Sequence, residues 1–430
     1  MVKRRAAMFS LDMAALRLTM APEEQDASEH ESHLFSRFSA SLPSGRAIHG
    51  RVHSEMKTLE RRPIEPSIDE LITPALLLDL DKFEANLAQL TNTLRGRTCG
   101  FRPHAKTHKC PEIAKRQRAA GARGVSVATV GEAEAMITAD IGGVLLTSPV
   151  VSPASIRRLI GLAGRAPDLM VTVDSAEGVA AYETALAGSG VTLNVLVDLD
   201  VGDQRTGIEP GPAAVALARQ VADAELLRFR GLQAYSGGSS HTVGYQERRH
   251  HSQAAMGKAV QTRRQIEAAG LPVEILSGGS TGTYAIDSQI DGVTELQAGS
   301  FVFMDVQYRR IGGESGNLYT DFTPSLTVLS TVVSANHADH ITIDAGVKAF
   351  STETEFGPEP VNVPGVSYQS GGDEFGILRY ESGARRFAVG ERIRLVVPHC
   401  DPTVNLYDHI HCVRGDRVVD TWPILARRGV

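Results

Sequence analysis

From about residue 68 onwards, the chain shows two successive patterns of hydrophobic and polar positions. Up to about residue 310, short apolar runs alternate with segments in which apolar residues recur every three or four positions. Such runs are typical of buried parallel strands and such segments of amphipathic helices, so this part predicts an α/β fold. The first run, TPALLLDL, predicts a strand, and DKFEANLAQLTNTL predicts a helix that Asp81 caps.

Eight further strands are predicted after that first pair. They are RPHAKTH, GVSVATV, GVLLTSPVV, LMVTVDS, LNVLVDLDVG, RFRGLQAY, VEILSGG and ELQAGSFVF. Most are separated by helical segments such as PEIAKRQRAAG and GPAAVALARQVADA. Eight such units in about 250 residues predict a (β/α)8 barrel of the TIM type. An open doubly wound sheet is the weaker interpretation, because no GxGxxG motif opens a helix after the first strand.

Beyond about residue 310 the helical pattern almost disappears. The segments TPSLTVLSTVVSANHADHITIDAG, GILRY, RIRLVVPHC and DHIHCVRGDRVVDTWPIL predict strands joined by turns. We therefore predict a barrel domain at residues 67–312 and a mostly antiparallel β-domain at residues 313–430. The strand at residues 73–80 comes before the eight predicted barrel strands and is available to pair with the β-domain.

The first 66 residues are polar and patternless, and they predict disorder. Asp12 and Arg17 interrupt the apolar stretch near the start, which argues against a signal peptide. A start further along, with Met56 as one internal candidate, is an alternative interpretation. We assign this segment no function.

Composition excludes several classes of protein. The chain has 430 residues, 42% hydrophobic and 22% charged, with a formal net charge of −6. An acidic balance argues against nucleic acid as a partner, and no apolar run is long enough to span a bilayer. The four cysteines are too sparse and irregular for a disulfide framework or a zinc site of the CxxC type, which indicates a reducing cytoplasm.

The most informative motif is FRPHAKTHK, with Lys106 between His104 and His108 at the end of a predicted strand. Active-site groups of a barrel gather at the C-terminal ends of its strands. A partly desolvated lysine loses some preference for its charged form, which suits Schiff-base chemistry. Most lysines at strand ends are simply solvated. The motif therefore indicates an active site only if the other strand ends also carry reactive or ligand-binding residues.

Those other strand ends are polar too. The fifth and sixth barrel strands end in DLDVGDQRTG and LQAYSGGSSH, which present Asp198, Asp200, Arg205, Gln233, Tyr235 and His241. The seventh ends in SGGSTGTY, whose backbone amides can surround a phosphate. A plain strand–helix turn explains such a loop equally well, but barrels often bind phosphate after strands seven and eight. A lysine and a phosphate loop at one mouth suggest pyridoxal phosphate.

The β-domain carries a second constellation, PHCDPTVNLYDHIH. His399 and Asp401 are two positions apart, so on a strand they point to one side. An imidazole and a carboxylate suit Mn²⁺, Zn²⁺ or Mg²⁺, although a hydrogen bond between them is the simpler interpretation. Cys400 is predicted to be a buried small residue, and His409 and His411 are weaker ligand candidates.

Together these motifs resemble a known family. HAKTHK, DVGDQRTG, GLQAY, GGSTGTY, ELQAGSFVFMD and PHCDPTVN are similar to motifs of the fold-type III pyridoxal phosphate enzymes, within the group of D-threonine aldolases and eukaryotic-type D-serine dehydratases. The resemblance implies an alanine-racemase-like barrel, a C-terminal β-domain and a homodimer with active sites near the subunit interface.

The resemblance also implies roles for individual residues. Lys106 matches the lysine that binds the cofactor, and Arg205 and Tyr235 match residues beside its pyridine ring. Matches to the phosphate loop are Gly279, Ser280 and Thr281. His399 and Asp401 match the metal ligands, and His241 matches a catalytic histidine that faces the substrate hydroxyl.

The second metal position favours one activity. In this resemblance the dehydratases have His-x-Cys with zinc, and the aldolases have His-x-Asp with a harder ion such as Mn²⁺. The sequence His399-Cys400-Asp401 therefore predicts an aldolase that cleaves D-threonine and related D-3-hydroxy-amino acids to glycine and an aldehyde. Phe375 stands where relatives tend to have histidine, which removes a contact or shifts substrate preference.

Three alternatives stay open. A D-serine or 3-hydroxyaspartate-type dehydratase would use the same cofactor and metal. A racemase would need a second acid/base, for which Tyr368, Tyr380 and Tyr407 are candidates outside any matched motif. A non-catalytic pyridoxal phosphate carrier is disfavoured by the β-domain, because such carriers are usually single-domain.

Overall fold

The computed structural model of this protein describes residues 66–427. The predicted disorder of the N-terminal segment, and the alternative start at Met56, lie outside these residues, as do the last three positions. Within the described range, no helix is both long and apolar enough to cross a membrane.

Within the described residues, a 3-10 turn at Ile68–Glu70 is followed by strand β1 (Ala75–Asp79) and helix α1 (Leu80–Leu94). Asp79 caps the helix, because its carboxylate accepts a hydrogen bond from the amide of Lys82 at 3.2 Å. The prediction that Asp81 is the cap is wrong. Asp81 lies in the first turn and pairs with Arg414 of the β-domain instead.

Eight parallel strands then form the predicted barrel. They are β2 (Gly100–Phe101), β3 (Val125–Val127), β4 (Val144–Leu146), β5 (Met170–Val173), β6 (Leu193–Asp198), β7 (Leu227–Ala234), β8 (Ile275–Gly278) and β9 (Glu295–Leu296). Hydrogen bonds join them in the order β2-β9-β8-β7-β6-β5-β4-β3. The bridge between His104 and Ser126 closes the ring beyond the end of β2. The strands are short and mostly buried, which explains their apolar runs.

Helices cover this barrel between successive strands. The described residues form α2 (Pro111–Ala119), α3 (Val130–Thr138), α4 (Pro153–Arg165), α5 (Ala176–Leu186), α6 (Pro212–Asp223), α7 (Gly237–Ser240), α8 (Tyr245–Ala268), α9 (Tyr284–Asp287) and α10 (Val306–Arg309). The predicted helical segments are confirmed. The last predicted strand is shorter than expected, because the chain turns into a 3-10 helix at Ser300–Val302.

A buried ion pair joins the first and last barrel strands. Arg102 directs Nε and Nη2 to the two carboxylate oxygens of Glu295, at 2.8 and 3.0 Å. Both side chains are at most 5% exposed. A further nitrogen of Arg102 donates to the carbonyl of Gly143. The pair therefore ties β2 to its neighbour β9 along the seam between the first and last strands of the barrel.

We expect Glu295→Gln to destabilise the fold by about 3–5 kcal/mol, because it leaves the Arg102 charge buried without its partner. Urea unfolding of the purified protein measures the change. The control is Glu112→Gln, which removes the exposed partner of Lys115 and should leave the unfolding midpoint almost unchanged. Equal midpoints for the two variants would show that the seam does not depend on this pair.

The β-domain has the predicted, mostly antiparallel character. Its elements are β10 (Leu326–Ser334), β11 (His340–Ile343), β12 (Glu359–Pro360), β13 (Val366–Ser370), β14 (Gly376–Tyr380), β15 (Arg392–Val396), α11 (Cys400–Val404), β16 (His409–Arg414) and β17 (Arg417–Pro423). Strand β1 lies between β10 and β16, antiparallel to the first and parallel to the second. The first strand thus belongs to the β-domain sheet, and α1 carries the chain from it into the barrel.

Candidate active site

Lys106 lies on a single 3-10 turn, Ala105–Thr107, directly after β2. The prediction that RPHAKTH is a strand is therefore wrong: β2 ends at Phe101, and within residues 102–108 only His104 forms an isolated β-bridge. The Nδ1 atom of His104 accepts a hydrogen bond from the Lys106 amide at 3.3 Å and caps the turn. Burial lowers the pKa of His104 well below its ordinary value, so the ring stays neutral and free to accept.

A cavity of about 230 Å³ opens beside Lys106 at the C-terminal ends of the barrel strands. Lys106, Arg205 and Tyr235 line it together. The ammonium nitrogen of Lys106 lies 5.8 Å from the centroid of the Tyr235 ring, and the Arg205 guanidinium carbon lies 5.3 Å from it. The fold therefore brings these three sequence-predicted residues to one cavity from three different loops.

Hydrogen-bonded side chains border the same cavity. Gln233 donates from Nε2 to the Thr147 carbonyl at 2.8 Å and to Asp198 at 2.9 Å. Gln297 donates to the Gln233 side-chain oxygen at 3.2 Å. Burial raises the pKa of Asp198 to about 6. Sequence analysis missed Thr147 and Gln297, although both directly follow barrel strands and so carried the positional signal that singled out Gln233.

Two other polar residues at strand ends have local structural roles. His108 is fully buried, and its Nδ1 atom accepts a hydrogen bond from the Cys110 amide at 3.1 Å. Burial lowers the pKa of His108 to about 3, so the ring is neutral. Asp200 accepts hydrogen bonds from the amides of Gly202 and Gln204 and shapes its own loop.

The predicted phosphate loop is held firmly by its own contacts. Gly279 has a φ of +70°, and a Cβ there would lie 2.8 Å from the Asp287 carboxylate. The Ser280 hydroxyl lies 3.0 Å from that of Thr283, and Thr281 accepts a hydrogen bond from the Phe301 amide. These positions do not line the cavity beside Lys106. The loop follows β8 and lies next to the network through the bond between Ser277 and Gln297.

His399 and Asp401 do not lie on a strand, as the sequence analysis expected. Strand β15 ends at Val396, and His399 occupies the N-cap position of helix α11, with Asp401 in its first turn. The helix nevertheless directs Asp401 towards the barrel, where Oδ2 lies 3.6 Å from the Lys106 ammonium. The proposed metal position and the proposed cofactor lysine are therefore neighbours across the domain boundary.

The environment of these two residues suits a divalent cation. His399 Nδ1 lies 2.6 Å from the Glu353 carboxylate, which orients the ring and leaves Nε2 as the ligand atom. Burial works to raise the pKa of Asp401, but the charges of Lys106, His399 and Lys109 lower it to about 2. Oδ1 of Asp401 is buried and has no hydrogen-bond partner among the described residues.

The fit to a metal is limited to these two protein ligands. Residues 66–427 contain no group of three or more His, Cys, Asp or Glu side chains arranged around one ion position. The remaining positions would belong to water or substrate, as in an open catalytic site. Sequence analysis missed Glu353, which lies in an irregular segment far from the ligands along the chain. The predicted burial of Cys400 is confirmed.

His241 ends helix α7 and packs against Tyr308, with ring centroids 4.6 Å apart. Burial lowers the pKa of His241 to about 4, helped by the nearby positive charges of His399 and Lys106. The ring is therefore neutral near pH 7 and able to accept a proton. Its Nδ1 atom is buried without a hydrogen-bond partner in the described part of the chain.

The weaker candidates of the β-domain make local contacts. His409 and His411 lie on β16, which is flanked by β1 and β17 and so is not an edge strand. His411 lies 3.1 Å from the Thr421 hydroxyl. The hydroxyls of Tyr368 and Tyr407 donate to backbone carbonyls, and that of Tyr380 accepts from a backbone amide. These contacts argue against a racemase base among the three tyrosines.

Phe375 lies in the turn between β13 and β14 and is 47% exposed. Its carbonyl accepts a hydrogen bond from the Gly371 amide, which closes the turn. The neighbouring Glu374 pairs with Lys348. Phe375 does not line the cavity beside Lys106, and its effect on substrate preference stays a prediction.

Comparison with known proteins agrees with this architecture. Residues 78–307 match the N-terminal domain of alanine racemase, and residues 325–413 match a serine dehydratase domain. The chain is 39% identical to a D-threonine aldolase of Arthrobacter sp. over 356 residues, which cover 83% of this chain and 92% of that protein. The chain belongs to the fold-type III pyridoxal phosphate family.

Two further relatives are an aldolase and a dehydratase. The solved structure of a D-threonine aldolase from Filomicrobium marinum has a TM-score of 0.80 and 38% identity, covering 84% of this chain and 96% of that one. A D-threo-3-hydroxyaspartate dehydratase of Delftia sp. is 30% identical over 82% of this chain and 97% of its own length. All three relatives are lyases, and this member of the family is a lyase that uses pyridoxal phosphate.

Proposed function

We propose that this fold-type III enzyme is a divalent-metal-dependent aldolase, which cleaves D-threonine and related D-3-hydroxy-amino acids to glycine and an aldehyde. The observation that carries the proposal is Asp401, a partly buried carboxylate beside Lys106 whose buried Oδ1 atom has no hydrogen-bond partner among the described residues. A carboxylate in place of a thiolate at this ligand position favours Mn²⁺ or Mg²⁺ over zinc. The neighbouring thiol of Cys400 is fully buried in the hydrophobic core.

The residues divide the chemical work. Pyridoxal phosphate, when bound, supplies an electron sink for the bond that breaks at the substrate Cα. Lys106 supplies the amine that holds the cofactor, while Arg205 and Tyr235 flank the space for its pyridine ring. Gly279, Ser280 and Thr281 form the loop that would receive its phosphate.

His241 is the proposed base for the substrate hydroxyl. Its ring is neutral near pH 7, since burial lowers its pKa to about 4. His399 and Asp401 would hold a cation that supplies Lewis-acid polarisation of the same hydroxyl. The neutral imidazole of His241 would take the hydroxyl proton as the bond between Cα and Cβ breaks.

A dehydratase acting on D-serine or a 3-hydroxyaspartate is the second candidate. The specific observation for it is Lys106, whose side chain is 38% exposed, lines the cavity and is able to serve as a base at Cα once freed. The similarity to the Delftia dehydratase supports the same scaffold for that reaction. The two activities differ in which substrate bond breaks, so products separate them.

Product analysis tests the proposal. Purified enzyme supplied with pyridoxal phosphate and Mn²⁺ is incubated with D-threonine and, separately, with D-serine. We expect glycine and acetaldehyde from D-threonine. Ammonia with 2-oxobutyrate or pyruvate would instead establish the dehydratase and would show that Asp401 does not mark the aldolase branch.

We also propose a homodimer with its active sites near the subunit interface. Val151 and Val243 are exposed large apolar side chains, at 69% and 71%, on loops that follow barrel strands. Apolar groups at this rim are consistent with contact by a second subunit. Sedimentation velocity tests the oligomeric state directly.

The unpaired buried cysteines support the expectation of a reducing cytoplasm.

A further inference from the structure

Lys109 is a buried lysine that makes two unusual contacts. Its ammonium donates one hydrogen bond to the main-chain carbonyl of Lys106 and another to the carbonyl of Asp401, the latter at 3.1 Å. The first carbonyl belongs to the 3-10 turn of the barrel, and the second to helix α11 of the β-domain. One side chain thus bridges the backbones of the proposed cofactor lysine and metal ligand.

This arrangement is costly to form. Lys109 is only 7% exposed, and burial lowers its pKa, although Asp401 and Glu132 oppose that effect. Its φ of +52° is in the left-handed region that side-chain-bearing residues rarely adopt. Strained and desolvated positions of this kind cluster at functional sites, so a role beyond packing is a reasonable inference.

The side chains of Lys106 and Asp401 also approach each other, at 3.6 Å. Under the proposed function, however, those two side chains are committed to cofactor and metal. The main-chain bonds of Lys109 involve neither of them and so persist when both ligands are bound. They fix the distance between the turn that presents Lys106 and the helix that presents Asp401.

We propose that Lys109 is a positioning residue that couples the cofactor site to the metal site. This inference rests on the proposed function, because it assumes a cation on His399 and Asp401. Ordering of the turn by pyridoxal phosphate is transmitted through Lys109 to helix α11, and ordering of the helix by the cation is transmitted back. Each ligand therefore tightens the binding of the other by the same factor.

The experiment measures that factor. Affinity for Mn²⁺ is determined by calorimetry with and without pyridoxal phosphate, and affinity for pyridoxal phosphate by visible absorbance with and without Mn²⁺. In the wild-type enzyme we expect each ligand to tighten the other at least about 5-fold, the lower end of usual coupling. In Lys109→Met we expect both affinities to fall and the factor to approach one.

Two variants serve as controls. Lys109→Arg keeps donors for both carbonyls and should retain a measurable part of the coupling. Lys115→Met removes an exposed lysine on the adjacent helix α2 and should match the wild-type enzyme in every measurement. Thermal melting of each apoprotein checks that Lys109→Met is folded. If Lys109→Met is not folded, Lys109→Gln takes its place, because its side chain cannot reach both carbonyls. We then expect the same loss of affinity and of coupling.

Three outcomes would overturn the proposal. The first is that Lys109→Met keeps the coupling factor of the wild-type enzyme. The second is that the wild-type enzyme shows no coupling between the two ligands. The third is that Lys109→Met and Lys109→Gln both fail to fold while Lys109→Arg folds normally. The last would assign Lys109 to fold stability. A wild-type enzyme that binds no Mn²⁺ at all would refute the metal in the proposed function, and the proposed coupling with it, whereas dehydratase products would leave the coupling measurement intact.

Discussion

Lys106→Ala is expected to abolish the visible absorbance of protein-bound pyridoxal phosphate and to lower the turnover rate by at least about 10³-fold. The reason is geometric. Lys106 is the only lysine lining the cavity that also receives Arg205 and Tyr235, within the described residues. The measurement is a spectrum recorded after free cofactor has been removed by gel filtration, followed by steady-state kinetics.

Lys348→Ala is the matched control. Lys348 lies in the β-domain and is 63% exposed in an ion pair with Glu374, so its loss should change neither the spectrum nor the rate. If Lys106→Ala retained the absorbance of the wild-type enzyme, another lysine would hold the cofactor. Lys109 would then be the first candidate, because its ammonium bonds the Lys106 carbonyl.

Asp401→Ala is expected to lose the stimulation of activity by Mn²⁺ while it still binds pyridoxal phosphate. Lewis-acid catalysis by a bound ion supplies several kcal/mol, so we expect a loss of about 10²–10³-fold in the metal-dependent rate. Activity is measured in chelator-treated protein with Mn²⁺ added back. The spectrum of the same sample shows whether the cofactor remains.

The control for this variant is Asp408→Ala, which removes an exposed carboxylate that pairs with Arg427 in the same domain. Asp401→Cys adds a sharper test, because a thiolate in place of the carboxylate should shift metal preference from Mn²⁺ towards Zn²⁺. Full activity of chelated Asp401→Ala would remove the metal from the proposal. Asp401 would then act only as the ion-pair partner of Lys106.

Sequence and structure agree where local pattern has one physical solution. Each barrel strand is a short apolar run because both of its faces are covered, so the eight strands could be counted without a structure. The placement of Lys106, Arg205 and Tyr235 followed from the rule that strand ends share one mouth. Their common cavity bears out that reasoning.

Local pattern fails where a contact comes from a distant part of the chain. The sequence predicted Asp81 as the cap, but the helix begins at Leu80, so Asp79 is the cap and Asp81 pairs with Arg414 of the β-domain. Similarly, no spacing rule connects Glu353 to His399, because the two are 46 positions apart and the segment between them forms several strands. Asp401 was expected on a strand, but a helix begins there instead.

By itself the sequence determined the barrel, the β-domain and the residue types of the site, since alternation of apolar runs and the chemistry of the motifs are local properties. Only the tertiary structure decided how the domains meet. It inserted β1 between β10 and β16, brought Asp401 to 3.6 Å from Lys106, and placed the Lys109 ammonium between their backbones. These contacts depend on the packing of one domain against the other, which no sequence window contains.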